Sequence, residues 1–253
     1  MTGSDRRIET RDGAMTTFFA HPDDGGPFPV VVLFMDALGL REELRGLGSR
    51  VAEQGYLAVV PDLYHRFGDG MTFDAAKLRE PESGEFGRMM ATAQRLTDDM
   101  AMEDTRALLE TVEGDPMAGG GGKGCVGFCL GGRLAVRAMI TFPEQFVAGA
   151  ALHPSFVVDD TPASPHLSIG DIRGELYVGL GAADAFQPPE AFEPARGELE
   201  KHGIGHLIET HEGADHGFMI PGAPAFHEQA AERSWERTFD LFRRTLQTAA
   251  VGS

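Results

Sequence analysis

Short apolar runs alternate with longer segments of helical periodicity along most of the chain. Residues 29–35, with the sequence PVVVLFM, form a continuous apolar run that is typical of a strand buried on both faces. Residues 40–54 follow with apolar side chains at helical spacing, and Gly55 ends that segment. The same alternation predicts strands at 57–60, 123–128, 147–152, 175–180 and 206–211, and helices at 97–113, 131–142, 189–202 and 224–248.

Alternation of strands and helices predicts βαβ units, and therefore an α/β fold with a mostly parallel sheet and helices on both faces. Residues 7–10 and 15–20 flank a short turn, which predicts an N-terminal antiparallel hairpin. Residues 65–96 have weak periodicity, so they form either an insertion or lid over a pocket or a surface loop with short helices. We expect residues 1–253 to form a single α/β domain.

The charge of the chain restricts its possible partners. With 22 Lys and Arg against 39 Asp and Glu, the formal net charge is −17, and phosphate backbones and anionic lipid surfaces would repel such a chain. We therefore expect a small-molecule partner, with no nucleic acid and no membrane. A polar N-terminus and the lack of a run of about 18 apolar residues predict a cytoplasmic protein, either a monomer or a small homo-oligomer.

Cys129 stands in the pattern G-x-C-x-G-G, between a predicted strand and a predicted helix. This is the nucleophile-elbow pattern with cysteine in place of serine. Glycines on both sides of the nucleophile let the strand and the helix approach closely, and the helix N-terminus favours a thiolate. The alternative is a buried structural cysteine in a glycine-rich turn. The other cysteine, Cys125, lies inside the predicted strand.

An elbow nucleophile needs an acid and then a histidine later in the chain. Asp184 follows one predicted strand, and His216 lies in a glycine-rich loop after the last one. We expect Asp184 to orient His216, which would move protons to and from Cys129. The alternatives are a helix cap for Asp184 and an ordinary loop histidine for His216. Asp215 adjoins His216 and is poorly placed to bond the edge of the imidazole.

In hydrolases with a nucleophile elbow, the residues after the first buried strand form part of the oxyanion hole. The expected donors are the backbone N–H groups of Ala37 and Leu130. Asp36 is unusual beside a site that must hold negative charge, so it has either a chemical role or caps the following helix. The His, Cys and Asp residues show no metal-ligand spacing, and we expect neither a metal nor an organic cofactor.

Taken together, these motifs resemble the dienelactone hydrolase family. The matching pieces occur in family order at Met35 to Gly39, Gly55-Tyr56, Val60 to Tyr64, Gly127 to Gly132, Gly181 to Asp184 and Gly213 to Phe218. The resemblance implies an α/β-hydrolase fold and a Cys-His-Asp triad that cleaves esters or lactones through a thioester acyl-enzyme. It also implies that Asp36, where the best-known members have glutamate, holds the resting cysteine and helps to generate the thiolate.

The resemblance departs from the family pattern at the substrate carboxylate. Dienelactone hydrolases proper hold that carboxylate with arginines, one of them four residues after the catalytic histidine, where this chain has Ile220. The other arginine falls within residues 65–96, where Arg79 and Arg88 are candidates. The alternatives are therefore a carboxylesterase or thioesterase with the same triad and an open acyl pocket, or a non-catalytic ligand-binding hydrolase fold.

Overall fold

The computed structural model describes residues 1–246, except for the side chain of Arg79. The chain divides into two compact units, Met1–Gly120 and Gly121–Ser253. The single domain expected over residues 1–253 stays a prediction.

The first unit contains four neighbouring strands, and the N-terminal hairpin supplies two of them. Its strands and helices are β1 (Thr2–Thr10), β2 (Gly13–His21), β3 (Val30–Phe34), α1 (Glu42–Glu53), β4 (Leu57–Pro61), α2 (Glu85–Arg95) and α3 (Asp98–Glu113). β1 pairs antiparallel with β2, with Thr10 opposite Gly13, and β2 pairs antiparallel with β4. β3 pairs parallel with β4, and every residue of both strands is buried. The predicted hairpin and buried strands are confirmed.

Residues 65–96 consist of short helical pieces. Three 3₁₀ turns lie at His65–Phe67, Lys77–Arg79 and Pro81–Ser83, and helix α2 follows them. This agrees with the alternative of a loop with short helices, and a lid function for the segment stays a prediction.

The second unit contains four parallel strands in the order β5-β6-β7-β8. Its elements are β5 (Lys123–Phe128), α4 (Leu130–Thr141), β6 (Phe146–Leu152), β7 (Glu175–Gly181), α5 (Glu193–Lys201), β8 (His206–His211) and α6 (Glu228–Thr245). Cys125 of β5 points at α4, where its Sγ lies 3.7 Å from the carbonyl oxygen of Ala135. A Cβ on the preceding Gly124 would lie 3.1 Å from the Phe242 ring of α6. Since successive strand residues face opposite sides, helices cover both faces, as predicted.

Two helices begin four residues later than the sequence predicts. The last helix begins at Glu228 rather than at Pro224, because backbone turns occupy the residues before it and the His227 side chain accepts the N–H of Ala230 as the N-cap. Its predicted end at residue 248 lies outside the described residues. The helix predicted over 189–202 begins with a 3₁₀ turn, and α5 starts only at Glu193.

Within residues 1–246, no helix is both long enough and apolar enough to cross a bilayer. The predicted cytoplasmic location stays a prediction.

Candidate active site

Cys129 occupies a strained turn between β5 and α4. Its φ and ψ angles are 54° and −117°, a region that costs a non-glycine residue about 1–3 kcal/mol. Three backbone hydrogen bonds hold it there: its N–H donates to the carbonyl of Leu152 at 3.1 Å, and its carbonyl accepts the N–H groups of Gly132 and Ser155 at 3.0 Å each. The surrounding backbone therefore fixes the direction of the thiol.

The glycines around Cys129 are required by close backbone contacts. A Cβ on Gly127 would lie 1.8 Å from the carbonyl oxygen of Gly131, and one on Gly132 would lie 2.8 Å from Pro154. Distances below about 3 Å are incompatible with a side chain, so only glycine fits either position. Close backbone contacts therefore explain the glycine spacing of the motif, as the sequence predicts.

Asp184 and His216 meet at the carboxyl ends of β7 and β8. The Nδ1–H of His216 donates to Oδ2 of Asp184 at 2.7 Å. The other oxygen of this buried carboxylate accepts the backbone N–H groups of Phe186 at 3.0 Å and Gln187 at 2.7 Å. Asp215 instead accepts the backbone N–H of His216, at 2.7 Å. Asp184 therefore fixes the orientation of the ring, so that Nε2 is the nitrogen of His216 that faces away from this carboxylate.

Ser155 lies between Cys129 and His216, and the sequence analysis missed it. Its Oγ is 3.3 Å from the Cys129 Sγ and 3.4 Å from the Nε2 of His216. The residue is only 2% exposed. Ser155 follows the carboxyl end of β6, where sites in parallel sheets lie, so its position along the chain was the available signal. The hydroxyl gives the thiol and the imidazole a shared hydrogen-bonding partner.

The charge state of His216 is set by its neighbours. Burial lowers the pKa of the imidazole, but the negative charge on Cys129 and hydrogen bonds to Asp184 and Cys129 outweigh it and raise the pKa to about 10. At neutral pH the ring is therefore an imidazolium.

A second histidine, His153, packs beside this pair and stays neutral. Its ring centroid lies 5.1 Å from that of His216, with an interplanar angle of 73°. Complete burial, followed by the charge of His216, holds the pKa of His153 well below its ordinary value. A second positive charge is thus kept away from the site over the neutral range.

The two cysteines have opposite environments. Cys125 is fully buried, and burial raises the pKa of its thiol. Cys129 is partly exposed. A thiol that neither ionises nor meets solvent is chemically inert, so the difference favours Cys129 as the reactive one.

Asp36 and Ala37 lie in the first unit, in the turn after β3. The carboxylate of Asp36 accepts Nη1 and Nη2 of Arg41 at 2.6 and 2.9 Å and the N–H of Leu38 at 2.9 Å. Arg41 is itself the N-cap residue of α1, so the interpretation of Asp36 as a helix cap is wrong. The carbonyl of Ala37 accepts the hydroxyl of Tyr64 at 3.1 Å. The chemical role of Asp36 and the oxyanion role of Ala37 stay predictions.

Three positions are relevant to binding a substrate carboxylate, and the one nearest to His216 in the sequence is Ile220 rather than an arginine. Ile220 is buried, and its N–H donates to the carbonyl of Gly217 at 3.1 Å. Arg88 is an exposed side chain paired with Glu85 at 2.8 Å. The side chain of Arg79 lies outside the described residues.

Known proteins resemble this chain over most of its length. The family model described as "Dienelactone hydrolase family" matches residues 15–246. A protein of Synechocystis sp. with a provisional name as a carboxymethylenebutenolidase is 30% identical over 91% of this chain and 92% of its own length. The carboxymethylenebutenolidase of Rhodococcus opacus is 29% identical over 91% of this chain and 85% of its own. A Klebsiella pneumoniae crystal structure, provisionally named as a dienelactone hydrolase, matches with a TM-score of 0.83 at 24% identity, covering 96% of this chain and 98% of its own. The fold is the α/β-hydrolase fold that the sequence predicts.

Proposed function

Because the chain belongs to the dienelactone hydrolase family, we propose that it hydrolyses small carboxylic esters or lactones with Cys129 as the nucleophile. The observation that carries the proposal is the continuous path of contacts from Asp184 through His216 and Ser155 to Cys129. Nucleophile, base and orienting acid are the three parts that covalent acyl transfer requires.

The reaction starts from the thiolate of Cys129 and the imidazolium of His216. The thiolate attacks the carbonyl carbon, and the N–H of Leu130 at the start of α4 holds the oxyanion. Collapse breaks the bond to the leaving oxygen, which takes the Nε2 proton of His216. Water then gives a proton to the neutral imidazole and attacks the thioester, releasing the acid and restoring the ion pair.

Asp184 acts throughout on His216 rather than on the substrate. Its hydrogen bond holds the ring with Nε2 toward the reacting atoms and stabilises the imidazolium form. The neighbouring N–H groups of Phe186 and Gln187 keep the carboxylate in place. Asp184 to alanine should therefore lower kcat by orders of magnitude and should add nothing to the loss caused by Cys129 to alanine, because such residues act as a unit.

Ser155 is a positioning residue in this proposal. Its hydroxyl is within hydrogen-bonding range of both reactive atoms. It stabilises the thiolate by donating to Sγ in the resting state, and turns toward Nε2 when the imidazole is neutral. A hydrogen bond to a charged group contributes about 1.5–3 kcal/mol.

The proposal is tested with a panel of cyclic lactones, aryl esters and acyl thioesters, using wild type, Cys129→Ala and the matched variant Cys125→Ala. We expect wild type and Cys125→Ala to turn over at least one class, with an acyl-enzyme adduct on Cys129 visible by intact-protein mass spectrometry. Cys129→Ala should be inactive with an unchanged circular dichroism spectrum. Hydrolysis that survives in Cys129→Ala would refute the nucleophile, and inactivity of wild type on every class would favour a non-catalytic ligand-binding protein.

A carboxylesterase or thioesterase activity is favoured by one specific observation. Ile220 places a buried apolar side chain where dienelactone hydrolases proper have an arginine for the substrate carboxylate. Neutral acyl groups should then be preferred to anionic ones. A higher kcat/KM for a carboxylate-bearing lactone than for its methyl ester would contradict this preference.

A further inference from the structure

Two exposed phenylalanine rings stand next to the catalytic histidine. Phe186 is 43% exposed, and its ring centroid lies 5.0 Å from that of His216 at an interplanar angle of 74°. Phe156 is 40% exposed and meets Phe186 edge to face, with centroids 5.5 Å apart. The two rings, called here the aromatic pair, thus extend from His216 to solvent within the second unit.

The backbone of Phe156 is held in a costly conformation. Its φ of 53° is left-handed, which is rare for a bulky residue and costs about 1–3 kcal/mol. Its N–H donates to the side-chain oxygen of Gln187 at 3.1 Å, and its carbonyl accepts Nη1 of Arg133. Gln187 directly follows Phe186, and Arg133 lies in the first turns of the helix after Cys129. The strain is therefore maintained by residues of the candidate site.

Arg133 is in turn anchored by an ionised carboxylate. Its Nη1 lies 2.6 Å from Oδ2 of Asp159. Burial would raise the pKa of Asp159, but hydrogen bonds from Thr161 and Arg133 lower it. The support of Phe156 therefore persists across the neutral pH range.

Core packing does not explain this arrangement. Both residues leave about two-fifths of their surface in water, so neither belongs to the core, yet the fold holds Phe156 in a strained backbone. Strain of this kind persists where the surrounding structure enforces it, and it concentrates at ligand-binding positions. Exposure and strain together therefore make the aromatic pair a candidate contact surface for a ligand.

We propose that the aromatic pair binds an aryl or other flat apolar group in the alcohol part of the ester. This inference rests on the proposed function, because His216 as proton donor to the leaving oxygen determines that the aromatic pair faces the alcohol part of the substrate. A group bonded to that oxygen lies next to the His216 ring, and so next to Phe186. An aromatic leaving group can stack on one ring and meet the other at its edge, the two arrangements that aromatic pairs prefer.

The acyl part of the substrate is left to the other side of Cys129. The pair therefore discriminates between leaving groups and has little effect on acyl groups. An aryl acetate should be a better substrate than expected from its chemical reactivity alone, and the corresponding free phenol should inhibit competitively.

The test compares kcat/KM for phenyl acetate, ethyl acetate and methyl benzoate in wild type, Phe186→Leu, Phe156→Leu and the control Phe226→Leu. Phe226 is 37% exposed and lies in the loop before α6. We expect the phenyl-to-ethyl acetate ratio to fall about tenfold in the first two variants, which corresponds to about 1.4 kcal/mol. Phe226→Leu should keep the wild-type ratio, and Phe186→Trp should restore it, because tryptophan keeps an aromatic face.

The outcomes separate the subsite from the proposed function. If Phe186→Leu keeps the wild-type ratio while ethyl acetate is still hydrolysed in a Cys129-dependent reaction, the aromatic subsite is wrong and the enzyme activity stands. If instead the loss appears with methyl benzoate, the assignment to the alcohol side is overturned. If wild type hydrolyses none of the esters, the proposed function itself fails.

Discussion

Replacing Cys129 with serine should lower the pKa of His216 well below 10. In the wild-type protein the negative charge on Cys129 and the hydrogen bonds to Asp184 and Cys129 overcome the effect of burial on the imidazole. Serine keeps the size of the side chain and removes its charge. Burial, which lowers the pKa, then opposes only Asp184, so the ring should lose its proton nearer to neutral pH.

Protonation of His216 also affects the stability of the folded state, and it is stabilising because folding raises the pKa of the ring. The folded-state pKa of about 10 lies above the ordinary 6.5. Protonation of His216 therefore stabilises the folded state, an effect fully present below pH 6.5 and lost as the pH rises through about 10. At about 1.4 kcal/mol per pH unit, the whole contribution is about 5 kcal/mol.

Only part of that contribution appears as a pH dependence. Between pH 6.5 and about 8.5 the unfolded chain carries one proton on the Cys129 thiol, and the folded chain carries one on His216. The two states bind the same number of protons, so the free energy of unfolding does not change with pH in this range. Above about pH 8.5 the unfolded thiol ionises and the folded imidazolium remains. The Cys129–His216 pair alone should then account for a loss of about 2 kcal/mol of stability between about pH 8.5 and 10.

The measurements are side-chain NMR titration of His216 and urea unfolding from pH 6 to 10, on wild type and Cys129→Ser. The buried thiol of Cys125 has a raised pKa in both proteins, so its own alkaline contribution cancels in the comparison. We expect the stability difference between the two proteins to shrink by about 2 kcal/mol above pH 8.5. A wild-type His216 that titrates at or below 6.5, or parallel stability profiles, would refute the ion pair.

Three further predictions concern the thiol and its surroundings. Iodoacetamide should modify Cys129 in preference to the buried Cys125, as measured by peptide mass spectrometry, and equal modification of the folded protein would contradict the nucleophile. Asp36→Asn should make resting Cys129 more reactive to iodoacetamide and lower turnover, whereas superimposable alkylation profiles with near-normal turnover would leave Asp36 as a structural residue. Ser155→Ala should lower kcat at least about tenfold and shift the alkylation rate of Cys129 against pH, while Ser155→Thr should retain both. An unchanged pH profile in Ser155→Ala would exclude its action on the thiolate.

The elements of the second unit were predictable because each one produces a strong local pattern. β5 is fully buried and β8 is mostly half-exposed, yet both have the predicted boundaries, because turn-forming glycines stand close to both ends of each segment in the sequence. The start of the last helix was not predictable in the same way. Residues 224–227 have no feature that forbids a helix after Pro224, and the cap by His227 depends on a side-chain hydrogen bond.

The candidate nucleophile, acid and base were accessible because their motifs carry steric information. Glycine at 127 and 132 is required by backbone contacts of 1.8 and 2.8 Å, so the sequence records the turn itself. Ser155 has no such signature, because its role depends on two distances that arise only when the ends of β5, β6 and β8 come together. The pairing of Asp36 with Arg41 was also missed, although a carboxylate five residues before an arginine was visible in the sequence.

Backbone strain marks the same site independently of any motif. Among residues 1–246, the non-glycine residues with positive φ are Cys129, His153 and Phe156. The first carries the thiol, the second packs against the imidazole of His216, and the third belongs to the aromatic pair beside it. Each such conformation costs about 1–3 kcal/mol. Selection for stability alone would remove these costs, so their concentration around His216 indicates a functional constraint. The turn after β6, which holds His153, Ser155 and Phe156, therefore belongs to the candidate active site together with the turn at Cys129.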